Sequence, residues 1–300
     1  MFLTRFSLPS PESEHRVKRE FEVETLLNNY YPCDLFPKKD FSEIIFDKIT
    51  IFYGGNGSGK STLLNLIAQK LQLNRIAPFG SSQLFDAYVR QCSYELGYDD
   101  EGFPHRIPDG SRIIASDDIF DYMLITRTNN DDIRENQLDA LASKKQLKYG
   151  ETVKFEGMKD YEALRLQVMA RSRSVSRRKF VERTAGREAI IGSNGETALE
   201  YFHTKLKSDK LYCLDEPENS MSPKMQLELV ALLEELTRFC GCQLILATHS
   251  PFLLSMRGAK IYDLDHVPVK TRNWWELENT KAYYAFFKKN EALFEKNTEQ

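Results

Sequence analysis

The chain has 300 residues, 41% hydrophobic and 28% charged, an ordinary globular composition with enough material for one large core or two modest ones. A net charge of -3 argues against a uniformly basic nucleic-acid binder, and no apolar run approaches the ~18 residues that a membrane helix needs. The opening "MFLTRFSLPSPESEHRVKRE" has no apolar signal-peptide core, and Cys33, Cys92, Cys213, Cys240 and Cys242 are scattered, so the expectation is a cytoplasmic protein with reduced thiols and no membrane partner.

In chain order, Phe2 to Ser7 alternates like a strand, and Glu12 to Glu24 reads as an exposed loop or short helix. "EIIFDKITIFYGG" (43–55) is rich in β-branched and aromatic residues and predicts one buried strand. "KSTLLNLIAQKL" (60–71) repeats apolar residues at helical spacing. Glycines and prolines punctuate 74–118, and helical patterns follow at 119–148 and 161–183. A second block alternates helix (196–207), strand (211–214), helix (223–239) and strand (243–247), then a strand at 260–264 and a closing helix. The first block has too few strands for its own sheet. The expectation is an α/β fold with one mostly parallel sheet assembled from residues 1–73 and 190–300, and with 74–189 inserted as a helical lid or lobe.

Gly54-x4-Gly59-Lys60-Ser61 matches the phosphate-binding pattern G-x-x-x-x-G-K-[ST] between a strand and a helix. Glycines let backbone N–H groups curl around a phosphate where side chains would clash, and the helix start adds its positive dipole end. The run Gly54, Gly55, Asn56, Gly57, Ser58, Gly59, Lys60, Ser61 and Thr62 is therefore the candidate ATP-binding loop. Lys60 would face the β- and γ-phosphates, and the Ser61 hydroxyl would face Mg²⁺. The apolar strand at 211–214 runs directly into Asp215 and Glu216. A carboxylate at the carboxyl edge of a parallel sheet lies beside such a loop, so Asp215 is the second candidate metal ligand and Glu216 the candidate water-activating base.

"SNGE" (193–196) opens a helix before this strand, "DEP" runs into "NSMSP" (219–223), and "LILATHSPFLL" sets His249 after another apolar strand. This ordered set resembles the ABC-type ATPases, in particular their soluble branch of SMC and DNA-repair ATPases and the stand-alone bacterial "AAA family" ATPases. The resemblance covers 44–66 and 190–265. It implies a P-loop fold of ABC-ATPase type in which Ser193 and Gly195 grip the γ-phosphate of ATP held by a second copy of the chain. Two chains would then sandwich two nucleotides head to tail, His249 would contact the γ-phosphate and the attacking water, and Ser220 to Pro223 would cross the interface. "GSNGE" departs from the transporter form L-S-G-G-Q. The glutamine-bearing lid loop has no clear counterpart: Asp117 or Asp118, Gln83 and Gln91 all stay open.

Between 171 and 188, Arg171, Arg173, Arg177, Arg178, Lys179, Arg183 and Arg187 face only Glu182 and Glu188. This is either a contact for nucleic-acid phosphates or a solvated helix paired with acidic neighbours. Asp263 and Asp265 echo a nuclease D-x-D, but the strand fits as an edge of the ATPase sheet, and Trp274 and Trp275 read as packing. The expected function is a Mg²⁺-dependent ATP hydrolase with Lys60, Glu216 and His249 as catalytic residues. Its ATP-driven dimerisation would control a partner effector such as a nuclease, as in the anti-phage defence systems where the resembling ATPases occur. The alternatives are a DNA-binding repair or chromosome ATPase acting through the basic segment, and an ABC transporter ATPase subunit.

Overall fold

The computed structural model describes residues 1–24, 30–77, 79–99, 101–151, 160–172, 174–185 and 193–295. The chain packs as two compact units, Met1–Ile119 with Asn194–Gln300, and Phe120–Ser193. In chain order the elements are β1 (Leu3–Ser7), α1 (Pro11–Glu24), β2 (Glu43–Ile45), β3 (Ile49–Tyr53), α2 (Lys60–Lys70), α3 (Gln83–Gln91), β4 (Ser93–Leu96), β5 (Arg112–Ile114) and α4 (Ser116–Tyr149). They continue with α5 (Tyr161–Arg171), α6 (Arg177–Ala185), α7 (Asn194–Lys205), β6 (Leu211–Asp215), α8 (Pro223–Phe239), β7 (Gln243–Ala247), α9 (Pro251–Leu254), β8 (Ala259–Asp263), β9 (Lys270–Arg272), α10 (Glu278–Lys289) and α11 (Glu291–Glu295).

The first unit is built on a six-stranded sheet in the order β5-β6-β7-β3-β8-β9. Every pairing from β5 to β8 is parallel, and only β9 runs antiparallel to its neighbour. All five residues of β3 and all five of β7 are buried, which is what a strand covered on both faces requires. Helix α2 lays Leu63, Leu64, Leu66 and Ile67 into the core with Phe52, Leu211, Cys213, Ile245 and Leu264. The α/β fold with a mostly parallel sheet drawn from both ends of the chain is therefore present.

A second sheet, β2-β1-β4, is small and antiparallel. The single strand expected over 43–55 is in fact two, because the chain turns at Asp47, whose N–H donates to Thr50 Oγ1 at 3.0 Å. The first half joins β1 and the second enters the large sheet. Gln243, almost fully buried, stitches the two sheets together: its Oε1 accepts from Phe2 N (3.0 Å) and Leu3 N (2.8 Å), and its Nε2 donates to Leu3 O (2.7 Å). Residues 74–119 pack with this first unit and not with a lobe starting at 74, because β4 pairs with β1 and β5 pairs with β6. The strand at 260–264 is not an edge, since β9 lies outside it. Trp275 is exposed, which departs from a packing role.

The second unit holds α5, α6 and all of α4 beyond its first turn. Ala170, Phe180 and Val181 form its buried centre with Leu141, Leu147, Met169 and Val175 around them. The expected 161–183 helix breaks between Arg171 and Arg177, where serines compete for backbone groups: Ser176 Oγ accepts from Lys179 N at 3.2 Å and caps α6. Arg173, Arg187 and Glu188 lie outside the described residues.

Candidate active site

Sheet order assembles the site. Three adjacent strands, β3, β7 and β6, end side by side, with Phe52 level with Ala247 and Ala247 level with Asp215. Their carboxyl ends release the glycine loop, the Thr248–His249 turn and the Asp215–Glu216 pair. The loop closes at once into α2. Gly57 (φ 79°) and Gly59 (φ 101°) hold left-handed conformations that glycine adopts readily. At Gly54 a Cβ would stand 2.5 Å from Ser58 Oγ, so the loop doubles back too tightly for any side chain there. Asn56 and Gly57 are exposed at the tip, while Ser58, Gly59 and Lys60 are buried, and Ser58 Oγ has no hydrogen-bond partner.

The candidate catalytic groups meet in one chain of contacts. Lys60 Nζ donates to Gly54 O (2.7 Å) and Gly55 O (3.1 Å) and lies 3.7 Å from Glu216 Oε1. Glu216 Oε1 lies 3.6 Å from His249 Nδ1. Ser61 Oγ donates to Asp215 Oδ1 at 3.0 Å. Burial pushes the Asp215 carboxyl up to about 6, with the Glu216 charge adding to the rise and the Ser61 hydrogen bond opposing it. Glu216 has φ 46°, a strained conformation for a side chain of its size, at the turn where β6 ends. Ser61 and Asp215 are hard oxygen donors a hydrogen bond apart, a set that fits Mg²⁺ completed by phosphate and water oxygens.

Several groups here carry no role in the sequence reading. Glu218, buried, accepts through Oε1 from Thr248 Oγ1 (2.5 Å), and burial raises its pKa. Tyr31 OH donates to Thr62 Oγ1 at 2.9 Å and borders a cavity of 570 Å³ that Gly57, Gly59, Leu35 and Lys38 also line. A cavity of that size beside the loop fits the base and sugar of a nucleotide. Asp265 fixes the loop's outer limb by accepting from Gly55 N at 2.8 and 3.1 Å. Arg75, half-buried, feels the charges of Asp118 and Asp215 and bonds Asn65 on α2. No local pattern marks Tyr31 or Arg75, and the D-x-D echo at Asp265 gave no hint of the loop, because each reaches the site only through the tertiary fold.

The lid-loop candidates separate. Asp118 is buried, and both its oxygens are committed to backbone, accepting from Ala77 N (2.6 Å) and Ala115 N (2.8 Å). Asp117, Gln83 and Gln91 are exposed, the glutamines at opposite ends of α3. Gly195 is buried at the start of α7, where an added Cβ would meet Met225 Sδ at 2.4 Å and Ser220 O at 3.1 Å. Ser193 is exposed and belongs to the second unit. Besides their own contact, the side-chain hydrogen bonds and ion pairs of Lys60 and Glu216 go to Gly54, Gly55, Asn219 and His249.

Residues 197–255, which contain Asp215, Glu216, Glu218 and His249, match the family model described as "AAA domain, putative AbiEii toxin, Type IV TA system". No curated protein matches the chain. Among solved structures it is similar to the SMC head domain of Thermotoga maritima (14% identity, 91% of this chain and 99% of that one, TM-score 0.39). It is also similar to a part of an ABC transporter complex from Clostridium perfringens (15%, 86% and 92%, TM-score 0.36). A third is the Smc head domain of Pyrococcus furiosus bound to the C-terminal domain of ScpA (16%, 82% and 94%, TM-score 0.35). At these scores the likeness is loose, and the fold rests on the sheet order itself. With its phosphate loop after β3, its carboxylate pair at the end of β6 one strand removed, and the match over 197–255, the chain is similar to the stand-alone ABC/AAA-type ATPases and carries a P-loop α/β fold.

Proposed function

We propose that the protein is a Mg²⁺-dependent ATP hydrolase whose ATP-bound form pairs head to tail and controls a partner effector. The observation that carries the chemistry is Glu216 Oε1, 3.7 Å from Lys60 Nζ and 3.6 Å from His249 Nδ1, beside the Ser61–Asp215 pair. Lys60 holds the β- and γ-phosphates. Ser61 and Asp215 would hold Mg²⁺, which would supply charge neutralisation at the phosphate oxygens. Glu216 orients the attacking water and accepts its proton, and His249 donates to the γ-phosphate. The Tyr31 cavity takes the base. Ser193 and Gly195, at the N-terminus of the 12-residue α7, offer backbone N–H groups to the nucleotide of a second copy. The family model's name sets such a domain in a Type IV TA system, which supports a role within a system of several components; the partner we propose is an effector such as a nuclease. No helix among the described residues is long and apolar enough to cross a membrane; the signature "GSNGE" in place of L-S-G-G-Q is what weighs against a transporter subunit.

Glu216→Gln is expected to lower turnover by about 10²–10⁴-fold, the usual worth of a general base. The same variant with ATP and Mg²⁺ should elute as a dimer in size-exclusion chromatography with light scattering. Unchanged turnover would overturn the mechanism, and a monomer under those conditions would overturn the pairing.

A second reading is nucleic-acid binding through α6, favoured by the exposure of Arg177, Arg178, Lys179 and Arg183. Arg171 does not contribute, because its guanidinium caps α4 by donating to Gly150 O at 2.6 Å. Neutralising Arg177, Arg178 and Lys179 together should reduce the salt slope of DNA binding by up to about 3. An unchanged slope removes this reading.

A further inference from the structure

The end of the β6–β7 ladder is unusual. Glu216 N donates to Ala247 O at 2.9 Å, the last backbone bond before the two chains diverge. Beyond it a side chain takes over. Glu218 Oε1 accepts from Thr248 Oγ1 (2.5 Å), His249 N (3.3 Å) and Ser250 N (3.3 Å), so one carboxylate oxygen ties three consecutive residues of the opposite turn. The same oxygen lies 3.9 Å from His249 Nδ1.

The turn is held on both flanks of His249. Thr248 is fully buried, and its Oγ1 also accepts from Ser250 N at 3.0 Å. Ser250 is buried, donates through Oγ to Gln226 Oε1 at 2.6 Å and caps α9. The His249 imidazole itself is 46% exposed. Its position is therefore set by its backbone, and Glu218 is what fastens that backbone to the turn carrying Glu216.

We propose that Glu218 is a positioning residue that locks the Thr248–Ser250 turn to the carboxylate turn, so that His249 and Glu216 meet the γ-phosphate and its attacking water as one rigid unit. This rests on the ATPase reading of Glu216 and His249 given above. The Glu218 oxygen replaces the ladder bonds that β6 and β7 no longer make, at the one place where a loose turn would uncouple two catalytic groups.

The test is hydrogen–deuterium exchange at the His249 and Ser250 amides of the full chain, with kcat and KM for Mg²⁺·ATP, in Glu218→Ala, Glu218→Gln and Thr248→Val. Glu218→Ala should speed exchange about tenfold or more at the His249 amide, which loses its acceptor, and less at Ser250, whose N–H keeps Thr248 Oγ1 at 3.0 Å. It should lower kcat about 10- to 100-fold, as loss of an outer-shell partner does, with KM within about twofold. Added to His249→Gln it should lower kcat no further, because both changes remove one function. Glu218→Gln keeps an accepting oxygen and should stay within about threefold of the parent. If Glu218→Ala does not fold, Thr248→Val keeps the shape and removes the shortest of the three bonds together with the Thr248 Oγ1 acceptor of Ser250 N, and should speed exchange at Ser250 and lower kcat with KM unchanged.

Unchanged exchange in a folded variant overturns the proposal, as does a kcat loss that multiplies with that of His249→Gln. A Glu218→Gln defect equal to that of Glu218→Ala overturns it too. A parent protein without ATP turnover would instead overturn the ATPase reading, and the exchange rates alone would then decide whether Glu218 holds the turn.

Discussion

Burial holds the Asp215 carboxyl near 6 where an exposed aspartate sits at 3.8, and the nucleotide-free fold is destabilised by that difference at neutral pH. The folded state binds the proton more tightly, so this stability is present below about 4 and is lost as pH rises through about 6. Glu14 and Glu218 are raised by burial and act in the same direction, so the Asp215 share is read as a difference between variants. Asp215→Asn keeps an acceptor for Ser61 Oγ and removes the charge. It is expected to stabilise the nucleotide-free protein at pH 7 by about 1–3 kcal/mol, with the gain vanishing at pH 4, as followed by thermal melts. The same variant should lose stabilisation by Mg²⁺·ATP. Lys60, Ser61, Asp215, Glu216 and His249 could be named as candidates from the sequence because each stands in a recognisable run, the first two where the glycine loop enters α2 and the others at or just beyond a strand end. Glu218 stood in plain view in "LDEPEN" and still had no role there, because its partners are 30 to 32 residues away in the turn after β7.

At the scale of elements, the helix–loop contact at Gly195 decides how α7 presents its N-terminus. A methyl there would push aside the flexible end of Met225 and press the Ser220 carbonyl at 3.1 Å, so Gly195→Ala should cost about 1 kcal/mol of stability. In the Glu216→Gln background it should weaken ATP-dependent association about tenfold, or 1.4 kcal/mol, because Ser220 and the start of α7 both face the partner copy in the proposed dimer. Sedimentation at graded protein concentration reads this directly. The helical spacing of α2 and α8 and the apolar runs of β3, β6 and β7 were legible because local pattern and burial coincide there. The 43–55 segment was not, since nothing in "IIFDKIT" says that its two halves serve different sheets. The serine break at 172–176 failed for the opposite reason: a local effect was masked by helix-favouring residues on both sides.

At the scale of the whole molecule, β3 (Ile49–Tyr53) lies between β7 (Gln243–Ala247) and β8 (Ala259–Asp263), strands from the far end of the chain. Neither terminal portion can therefore complete the sheet by itself. The fragment Met1–Ile119 is expected to stay unfolded in isolation and to gain cooperative structure on mixing with Asn194–Gln300, as followed by circular dichroism. Folding of the first fragment alone would contradict the sheet order. The sequence by itself determined the phosphate loop, the carboxylate pair, the order of strands and helices and the likeness to ABC-type ATPases, because all of these are written as short runs whose chemistry is local. Only the tertiary structure decided which strands end side by side, that residues 74–119 pack with the core, that Asp118 is spent on two backbone amides, and that Glu218, Tyr31 and Asp265 attend the site. Those are contacts between residues distant in the chain, and a sheet closed from both termini is the physical device that brings them together.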